Sequence, residues 1–219
     1  MSDYPSIGIS SGARALVITV SDGVAAGTRQ DESGVALADR LARAGFRVDR
    51  IAVADDRAAI EAALRAGAVE HTLVISSGGT GLTPRDVTPQ ATHAVIDYEV
   101  PGLAEAIRAA GRAKTPMADL SRGVVGVIGK TLVVNTPGSP KAALESLAAL
   151  EPTLAHALET LAGPFDHGIA GAGHSARPDL PDPDASDGPP VDTGDDDESW
   201  VPIPDDNDEW RDLPGGRSS

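Results

Sequence analysis

The chain has 219 residues, of which 41% are hydrophobic and 3% aromatic, so it is long enough for one packed domain with an extension. It contains no cysteine, which excludes disulfides, Cys-zinc centres and thiolate catalysis. The sequence contains no apolar run of about 18 residues, so no membrane span is predicted. The N-terminus lacks the basic start and following apolar stretch of a secretory signal. We therefore expect a cytoplasmic protein with no membrane segment.

The net charge of −15 is distributed unevenly. Residues 164–219 carry 15 acidic and 3 basic residues, a net −12, which leaves −3 for residues 1–163. Because 9 of the 17 prolines also lie in this segment, we predict a disordered acidic tail at 164–219. Its few large apolar residues are either solvated or form a docking segment: Trp200, Val201, Ile203 and Trp210. The small charge of the remaining chain argues against a nucleic-acid surface.

Residues 13–163 alternate between strand-like and helix-like segments and follow an N-terminal extension at 1–12. Residues 13–20 form a near-continuous apolar run, which is typical of a strand covered on both faces. The next predicted elements, in order, are a helix over 31–46, a strand over 47–54, a helix over 57–68, a strand over 71–77, a helix with Thr88 as N-cap and Pro89 at its first position, and a helix over 101–114.

Two short apolar runs flank Gly129 and Lys130 within residues 123–135, and this pattern predicts a hairpin. The second run leads through a loop at 136–141 into a last helix that ends near Gly163. The predicted fold is α/β. It is a three-layer α/β/α sandwich with a mostly parallel sheet and one antiparallel element.

A glycine-rich segment, Ser77-Gly-Gly-Thr-Gly81, follows the third predicted strand directly. Glycines let backbone N–H groups approach an anion closely, and Ser77 and Thr80 add hydroxyl groups. Open α/β sheets bind ligands at the carboxyl ends of their strands, so the position suits a phosphate. A tight turn without any ligand explains these glycines equally well, since the segment is neither a Walker loop nor a GxGxxG fingerprint.

The residues that follow favour a phosphate site. Pro84 stiffens the chain, and Arg85 offers a guanidinium fork for a phosphate. Asp86 would repel phosphates unless a divalent cation lies between them, so we predict that Asp86 binds Mg²⁺. The alternative role for Asp86 is to cap the following helix.

Polar residues also follow the first and second predicted strands. Ser21 and Asp22 come after the first, in a Ser-Asp-Gly sequence that is common in turns. Asp55 and Asp56 come after the second, and one of them can cap the next helix while the other faces a cleft.

The loop after the last strand has the same character. Gly138 and Ser139 could present N–H groups to an anion at a helix N-terminus. Lys141 is poorly placed for the helix dipole, which suggests that it serves an anion.

In this order, these residues resemble the MogA/MoaB family of molybdenum cofactor biosynthesis proteins, and the resemblance covers residues 13–163. The acidic tail is not part of the family pattern, and Ser77 stands where Thr is common. The motifs that carry the resemblance are Ser21-Asp22, Asp31-x-Ser-Gly34, Asp55, Ser-Gly-Gly-Thr-Gly-x-Thr-Pro-Arg-Asp-Val-Thr-Pro at 77–89, Val100-Pro-Gly102, Leu120-Ser-Arg122 and Pro137-Gly-Ser-Pro-Lys141.

The resemblance implies a homotrimeric molybdopterin-binding domain that acts as a molybdopterin adenylyltransferase. With Mg²⁺, ATP and molybdopterin would give adenylyl-molybdopterin and pyrophosphate, and a molybdenum-insertion enzyme would receive the product. The alternative is a MoaB-branch protein that binds or hands over the pterin without catalysis. Asp55 and Asp86 are the implied catalytic residues. The predicted binding residues, with Arg85 and Lys141 included for their charge, are Ser21, Asp22, Ser77, Gly78, Gly79, Thr80, Gly81, Arg85, Pro137, Gly138, Ser139 and Lys141.

Overall fold

The computed structural model describes residues 12–163, and a six-stranded sheet lies at the centre of this part of the chain. The predictions for residues 1–11 and for the acidic tail at 164–219 lie outside the described residues. The strands are β1 (Arg14–Val20), β2 (Arg47–Val53), β3 (Leu73–Ser77), β4 (Tyr98–Glu99), β5 (Val125–Ile128) and β6 (Thr131–Thr136).

The strand order is β2-β1-β3-β6-β5-β4, and the first four strands in this order are parallel to one another. Strands β5 and β6 form the predicted antiparallel hairpin, with Gly129 at φ +58° in its turn. The mostly parallel sheet with an antiparallel element is therefore confirmed. Strand β4 was not predicted, because two residues are too few to show an alternating pattern.

Helices cover both faces of the sheet, which confirms the three-layer sandwich. One face packs against α2, α5 and α6, with Leu37, Ile107 and Leu147 in its core, and the other packs against α3 and α4. Within residues 12–163, none of the helices is both long and apolar enough to cross a bilayer. The helices are α1 (Asp22–Ala25), α2 (Glu32–Arg43), α3 (Arg57–Glu70), α4 (Thr88–His93), α5 (Pro101–Arg112), a 3₁₀ helix (Pro116–Leu120) and α6 (Pro140–Ala162).

The central strands are buried on both faces, as their continuous apolar sequences predict. Val17 and Ile75 point into one core, whereas Ile18 and Val74 point into the other. Strand β2 is largely exposed at the edge of the sheet, where its charged side chains oppose pairing with another chain. Because β2, β1, β3 and β6 are parallel neighbours, their carboxyl ends form one continuous edge, and seven of the predicted site residues line a cavity there.

The start of α4 differs from the prediction. Thr88 lies inside the helix rather than before it, and Val87 occupies the N-cap without a side-chain hydrogen bond. The buried Thr88 hydroxyl instead donates to the carbonyl oxygen of Gly78 at 2.9 Å. The prediction of Thr88 as N-cap was therefore wrong, because a buried carbonyl of the glycine segment takes the hydroxyl.

Candidate functional site

A cavity of about 340 Å³ opens at the carboxyl ends of the parallel strands. The chain leaves β1 toward α2 on one face of the sheet and leaves β3 toward α4 on the other. Such a switch point is where open α/β sheets bind ligands. Seven of the predicted site residues line this strand-end cavity: Ser21, Asp55, Ser77, Gly78, Gly79, Gly138 and Ser139.

A second cavity of about 270 Å³ lies beside the first, between α5, the 3₁₀ helix and α6. Thr80, Gly81 and Pro137 line it, so the chain passes from one cavity to the other within residues 77–81. The glycine segment and the loop after β6 also approach each other closely, because a Cβ on Gly138 would lie 3.3 Å from the Cα of Gly78. We call the second space the side cavity.

Gly78 and Gly79 are needed for both conformation and contact. Their φ angles are +108° and +63°, in the region that side chains rarely adopt. A Cβ on Gly78 would lie 2.4 Å from the carbonyl oxygen of Val20, and one on Gly79 would lie 2.4 Å from the Thr88 hydroxyl. The segment can therefore form a tight turn and still bind an anion, so the two interpretations of its glycines do not exclude each other.

The segment offers two amide groups to a ligand. The N–H of Gly78 donates to Thr136 O at 3.1 Å and is therefore occupied. Among residues 12–163, the N–H groups of Gly79 and Thr80 have no acceptor. The Ser77 hydroxyl donates to Pro137 O at 3.1 Å. It therefore ties the end of β3 to the loop after β6 rather than pointing freely into the cavity.

The Asp86 carboxylate closes the loop that follows the glycine segment. Its Oδ2 accepts hydrogen bonds from the N–H of Thr83 at 2.8 Å and from the Thr83 hydroxyl at 2.6 Å. Partial burial alone would raise the pKa of Asp86, but the hydrogen bonds from Thr83 and Gly81 and the charge of Arg122 outweigh burial and lower it. Asp86 is therefore ionised at neutral pH, and it does not cap α4.

Asp22 and Asp55 tie the ends of β1 and β2 together. The N–H of Asp22 donates to Asp55 Oδ2 at 2.9 Å, and the N–H of Asp55 donates to Asp22 Oδ1 at 3.0 Å. Asp56 caps α3 by accepting from Ala59 N at 2.8 Å, which leaves Asp55 to face the strand-end cavity, as one reading of this pair predicted. Arg85, predicted as a phosphate fork, forms an exposed ion pair with Asp22.

Four of the predicted site residues line neither cavity: Asp22, Arg85, Asp86 and Lys141. Arg85 and Asp86 lie in the loop adjoining the glycine segment, and Asp22 is joined to both Asp55 and Arg85. Lys141 is exposed on α6, whose N-cap Ser139 accepts from Ala142 N at 3.2 Å. The structure thus gives Lys141 no contact with the site.

Arg122 is a residue of the site that the sequence left without a role. Its guanidinium donates to Gly81 O at 2.7 Å and also to the carbonyl oxygen of Asp86. Its N–H donates to Thr80 O at 3.0 Å. Arg122 therefore fixes both ends of the loop 81–86. Its place in the Leu120-Ser-Arg122 motif was the one signal that could have identified it, because its partners are about 40 residues away in sequence.

The predicted Mg²⁺ fits the carboxylates of this site if substrate phosphates supply some of its ligands. Within residues 12–163, no three His, Asp or Glu side chains lie close enough together to hold a metal ion by themselves. Mg²⁺ is commonly held by one or two carboxylates together with substrate phosphates. The ionised Asp86 therefore suits a cation that binds together with phosphates, rather than one held by the protein alone.

Comparison with known proteins assigns this arrangement to a family. The sequence model of a "probable molybdopterin binding domain" matches residues 16–156, which include every predicted site residue. The solved structure of the molybdopterin biosynthesis enzyme MoaB from Thermus thermophilus is 49% identical, with a TM-score of 0.63. That match covers 68% of this chain and 96% of the other.

Two curated relatives show the same similarity in sequence. The molybdenum cofactor biosynthesis bifunctional protein of Synechococcus elongatus is 41% identical over 168 residues, which is 76% of this chain and 52% of that protein. The molybdopterin adenylyltransferase of Haemophilus influenzae is 40% identical over 141 residues, or 62% of this chain and 71% of that protein.

The length of the match differs between these relatives. This chain spans about half the length of the bifunctional proteins that it matches, whereas it covers nearly all of the MoaB structure. Its described residues also have the three-layer architecture and the glycine segment at the strand ends. The chain belongs to the MogA/MoaB family of molybdopterin-binding domains.

Proposed function

We propose that this domain is a molybdopterin adenylyltransferase, which transfers AMP from ATP to the terminal phosphate of molybdopterin. The observation that carries the proposal is the pair of cavities that one continuous segment lines, with Ser77, Gly78 and Gly79 in the strand-end cavity and Thr80 and Gly81 in the side cavity. Two substrates in these cavities could bring their phosphates together at the shared segment 77–81. The names of the Haemophilus influenzae and Escherichia coli relatives, both molybdopterin adenylyltransferases, support the same reaction.

In the proposed reaction, a terminal phosphate oxygen of molybdopterin attacks the α-phosphorus of ATP. The new P–O bond forms as the bond between the α-phosphorus and the α,β-bridging oxygen breaks, and pyrophosphate leaves with that electron pair. Such a displacement needs little covalent chemistry from the protein. The protein has to align the two phosphates and balance their charge.

The described residues suit these two tasks. The N–H groups of Gly79 and Thr80 can donate to phosphate oxygens, and their positions are fixed by Thr88 and Arg122. Asp86 would hold Mg²⁺ against the phosphates, and Mg²⁺ when bound would neutralise phosphate charge. The ion pair with Asp22 balances the charge of Arg85. Phosphates would compete with Asp22 for that guanidinium.

We also infer from the family resemblance that the domain forms a homotrimer and passes its product to a molybdenum-insertion enzyme. Light scattering coupled to size exclusion would test the trimer. A pull-down of the purified insertion enzyme in the presence of adenylyl-molybdopterin would test the transfer.

Asp86→Asn tests the proposed reaction. Asparagine retains an oxygen that can accept from Thr83, so the loop should keep its fold while the negative charge is lost. We expect adenylyl-molybdopterin formation, measured by chromatography and pyrophosphate release with ATP and Mg²⁺, to fall by about 100-fold or more. The control is Asp39→Asn, which removes an exposed carboxylate of α2 outside both cavities and should leave the rate unchanged.

The second candidate is a protein that binds molybdopterin without catalysis. It is the alternative that the resemblance leaves open for MoaB-branch proteins, and the MoaB structure from Thermus thermophilus is 49% identical to this chain. If the wild-type protein binds molybdopterin but releases no pyrophosphate with ATP and Mg²⁺, this second function replaces the first. Asp86→Asn would then alter pterin binding only slightly.

A further inference from the structure

The two unpaired amide groups of the glycine segment point away from α4. In a planar trans peptide group, the C=O of one residue and the N–H of the next point in opposite directions. The carbonyl oxygen of Gly78 accepts from the Thr88 hydroxyl at 2.9 Å, and that of Gly79 accepts from the Thr88 N–H at 3.1 Å. The N–H groups of Gly79 and Thr80 belong to the same two peptide groups, so they are directed to the side opposite to Thr88.

This direction leads toward the two cavities. Helix α4 packs on one face of the sheet, whereas α2, α5 and α6, which contribute residues to the cavities, pack on the other. Gly79 lines the strand-end cavity and Thr80 lines the side cavity. Successive N–H groups on one side of a turn form a concave site for an anion, whereas carbonyl oxygens there would repel it. Thr88 therefore determines which of these groups the segment presents to a ligand.

Helix α4 needs support from the rest of the domain to hold Thr88 in this place. It has only six residues, and its N-cap, Val87, forms no side-chain hydrogen bond. A helix of this length is not stable by itself. Thr92, one turn after Thr88, donates to the Thr88 carbonyl oxygen at 2.9 Å, and the Asn135 amide of β6 donates to the Thr92 hydroxyl at 2.9 Å. The Thr92 hydroxyl thus joins α4 to the sheet.

Asn135 connects Thr92 with two neighbouring strands. Its amide also donates to Ser76 Oγ of β3 at 3.0 Å, and its Oδ1 accepts from the N–H of Val124, just before β5, at 3.2 Å. An asparagine amide has two donor hydrogens, so both are occupied. Ser76 and Thr92 are completely buried, and Asn135 is 2% exposed. A buried network of this kind favours a single arrangement, because a displacement leaves a polar group without its partner.

We propose that Thr92 is a positioning residue of the phosphate site. Held by Asn135, it fixes α4 so that Thr88 keeps the two N–H groups turned toward the cavities. The inference rests on the proposed function and deepens it, because it names the contacts that arrange the donors before a phosphate group binds. Thr92 lines neither cavity, so it acts on a ligand only through Thr88. The hydroxyl of Thr92 is the group that matters, since both of its hydrogen bonds use it.

Binding of inorganic pyrophosphate tests this role without turnover. Titration calorimetry on the full-length protein with Mg²⁺ gives the dissociation constant. We expect Thr88→Val, which removes the hydrogen bond to Gly78 O directly, to weaken binding by about 10-fold. Thr92→Val should weaken it by about 3-fold or more, because α4 then loses its buried bond to Asn135. Thr92→Ser retains the hydroxyl and should bind pyrophosphate like the wild type.

Thr131→Val is the matched control for a loss of stability alone. Thr131 is also a buried threonine, and its hydroxyl donates to His71 O at 2.6 Å at the amino end of β6, away from the site. Thr92→Val and Thr131→Val should both lower the urea concentration at half-unfolding, because each leaves buried polar groups unpaired. Only Thr92→Val should weaken pyrophosphate binding. Equal weakening in both variants, or none in Thr92→Val, would overturn the proposal.

Measurements of adenylylation separate this inference from the proposed reaction. In an active enzyme, Thr92→Val should lower kcat by about 3-fold or more, and Thr131→Val should leave it unchanged. If pyrophosphate binding depends on Thr92 but the wild type forms no adenylyl-molybdopterin, the positioning role stands and only the proposed reaction fails. A wild type that binds no pyrophosphate, or that binds it no better than Thr88→Val, would mean that the two N–H groups do not receive a phosphate, and the proposal would fall even if adenylylation is active.

Discussion

Gly79 and Gly129 both adopt left-handed backbone conformations, with φ +63° and +58°, but their surroundings differ. A Cβ on Gly79 would lie 2.4 Å from the Thr88 hydroxyl, whereas a Cβ on Gly129 would meet nothing within 4 Å. The glycine of the hairpin turn is therefore required by conformation alone. The glycine of the site is required by conformation and by the close approach of α4.

This pair gives a prediction at the residue scale. Gly129→Ala should lower the free energy of unfolding by about 1 kcal/mol, the cost of a left-handed alanine. Gly79→Ala should lower it by at least about 2 kcal/mol, because overlap with Thr88 adds to the same conformational cost. Urea unfolding of the two variants measures the difference. Equal destabilisation would mean that Thr88 can move aside freely and that the close contact is not needed.

At the scale of elements, Arg122 joins the segment before β5 to the loop after β3. Its guanidinium holds the carbonyl groups of Gly81 and Asp86, and its N–H holds Thr80. Asp86 closes the same loop from inside through Thr83. The loop that bears Arg85 and Asp86 is thus held by contacts distant in sequence, in addition to its own turn.

Arg122→Lys is the corresponding prediction. An ammonium group cannot reproduce the planar fork that reaches two carbonyl groups, so the loop 81–86 should loosen. We expect faster amide hydrogen exchange across this loop and a kcat for adenylylation that is lower by about 10-fold. Arg112→Lys is the control, because Arg112 forms exposed ion pairs with Glu105 and Asp119 and does not contact this loop within residues 12–163. Unchanged exchange in the loop of Arg122→Lys would contradict this role.

On the scale of the whole molecule, charged residues cluster at both ends of the parallel strands. Asp22, Asp55 and Asp86 follow the carboxyl ends of the parallel strands. At the amino edge, Asp49 of β2 pairs with Arg14 of β1 at 2.8 Å and with His71, just before β3, at 2.9 Å. The His71 ring also bonds Gly67 O at 2.9 Å. This second cluster joins three neighbouring strands and lies at the edge opposite to the site.

The cluster predicts an acid-dependent loss of stability. The hydrogen bond from Arg14, and then that from His71, lowers the pKa of Asp49. A carboxyl whose pKa is lowered by folding stabilises the protein above its unfolded pKa and loses this contribution as pH falls through the folded value. The free energy of unfolding of the wild type should therefore be higher than that of Asp49→Asn at pH 7. This difference should shrink progressively below about pH 4.

Urea unfolding at neutral and acidic pH measures this difference. Asp39→Asn, which removes an exposed carboxylate with no partner among residues 12–163, should show no such change. If the advantage of the wild type over Asp49→Asn persists undiminished at pH 3, the charge of Asp49 is not its source.

Much of the fold was predictable because the local signals agree with it. The continuous apolar runs of β1, β3 and β6 predicted strands buried on both faces, and Gly129 predicted the hairpin. The strand ends brought Ser21, Asp55, Gly78 and Gly138 to one cavity, as parallel strands require. Strand β4 and the 3₁₀ helix escaped prediction, since short elements carry no periodic pattern.

By itself, the sequence determined the architecture and the group of polar strand ends, because apolar periodicity and strand direction are local properties of the chain. Only the tertiary structure decided which hydrogen-bonding groups remain available to a ligand. It assigned the Thr88 hydroxyl and the Gly78 N–H to buried partners, and it brought Arg122 to a loop about 40 residues earlier. It also brought Asn135 of β6 to Thr92 of α4, a contact that no local pattern contains, because it depends on how distant elements pack.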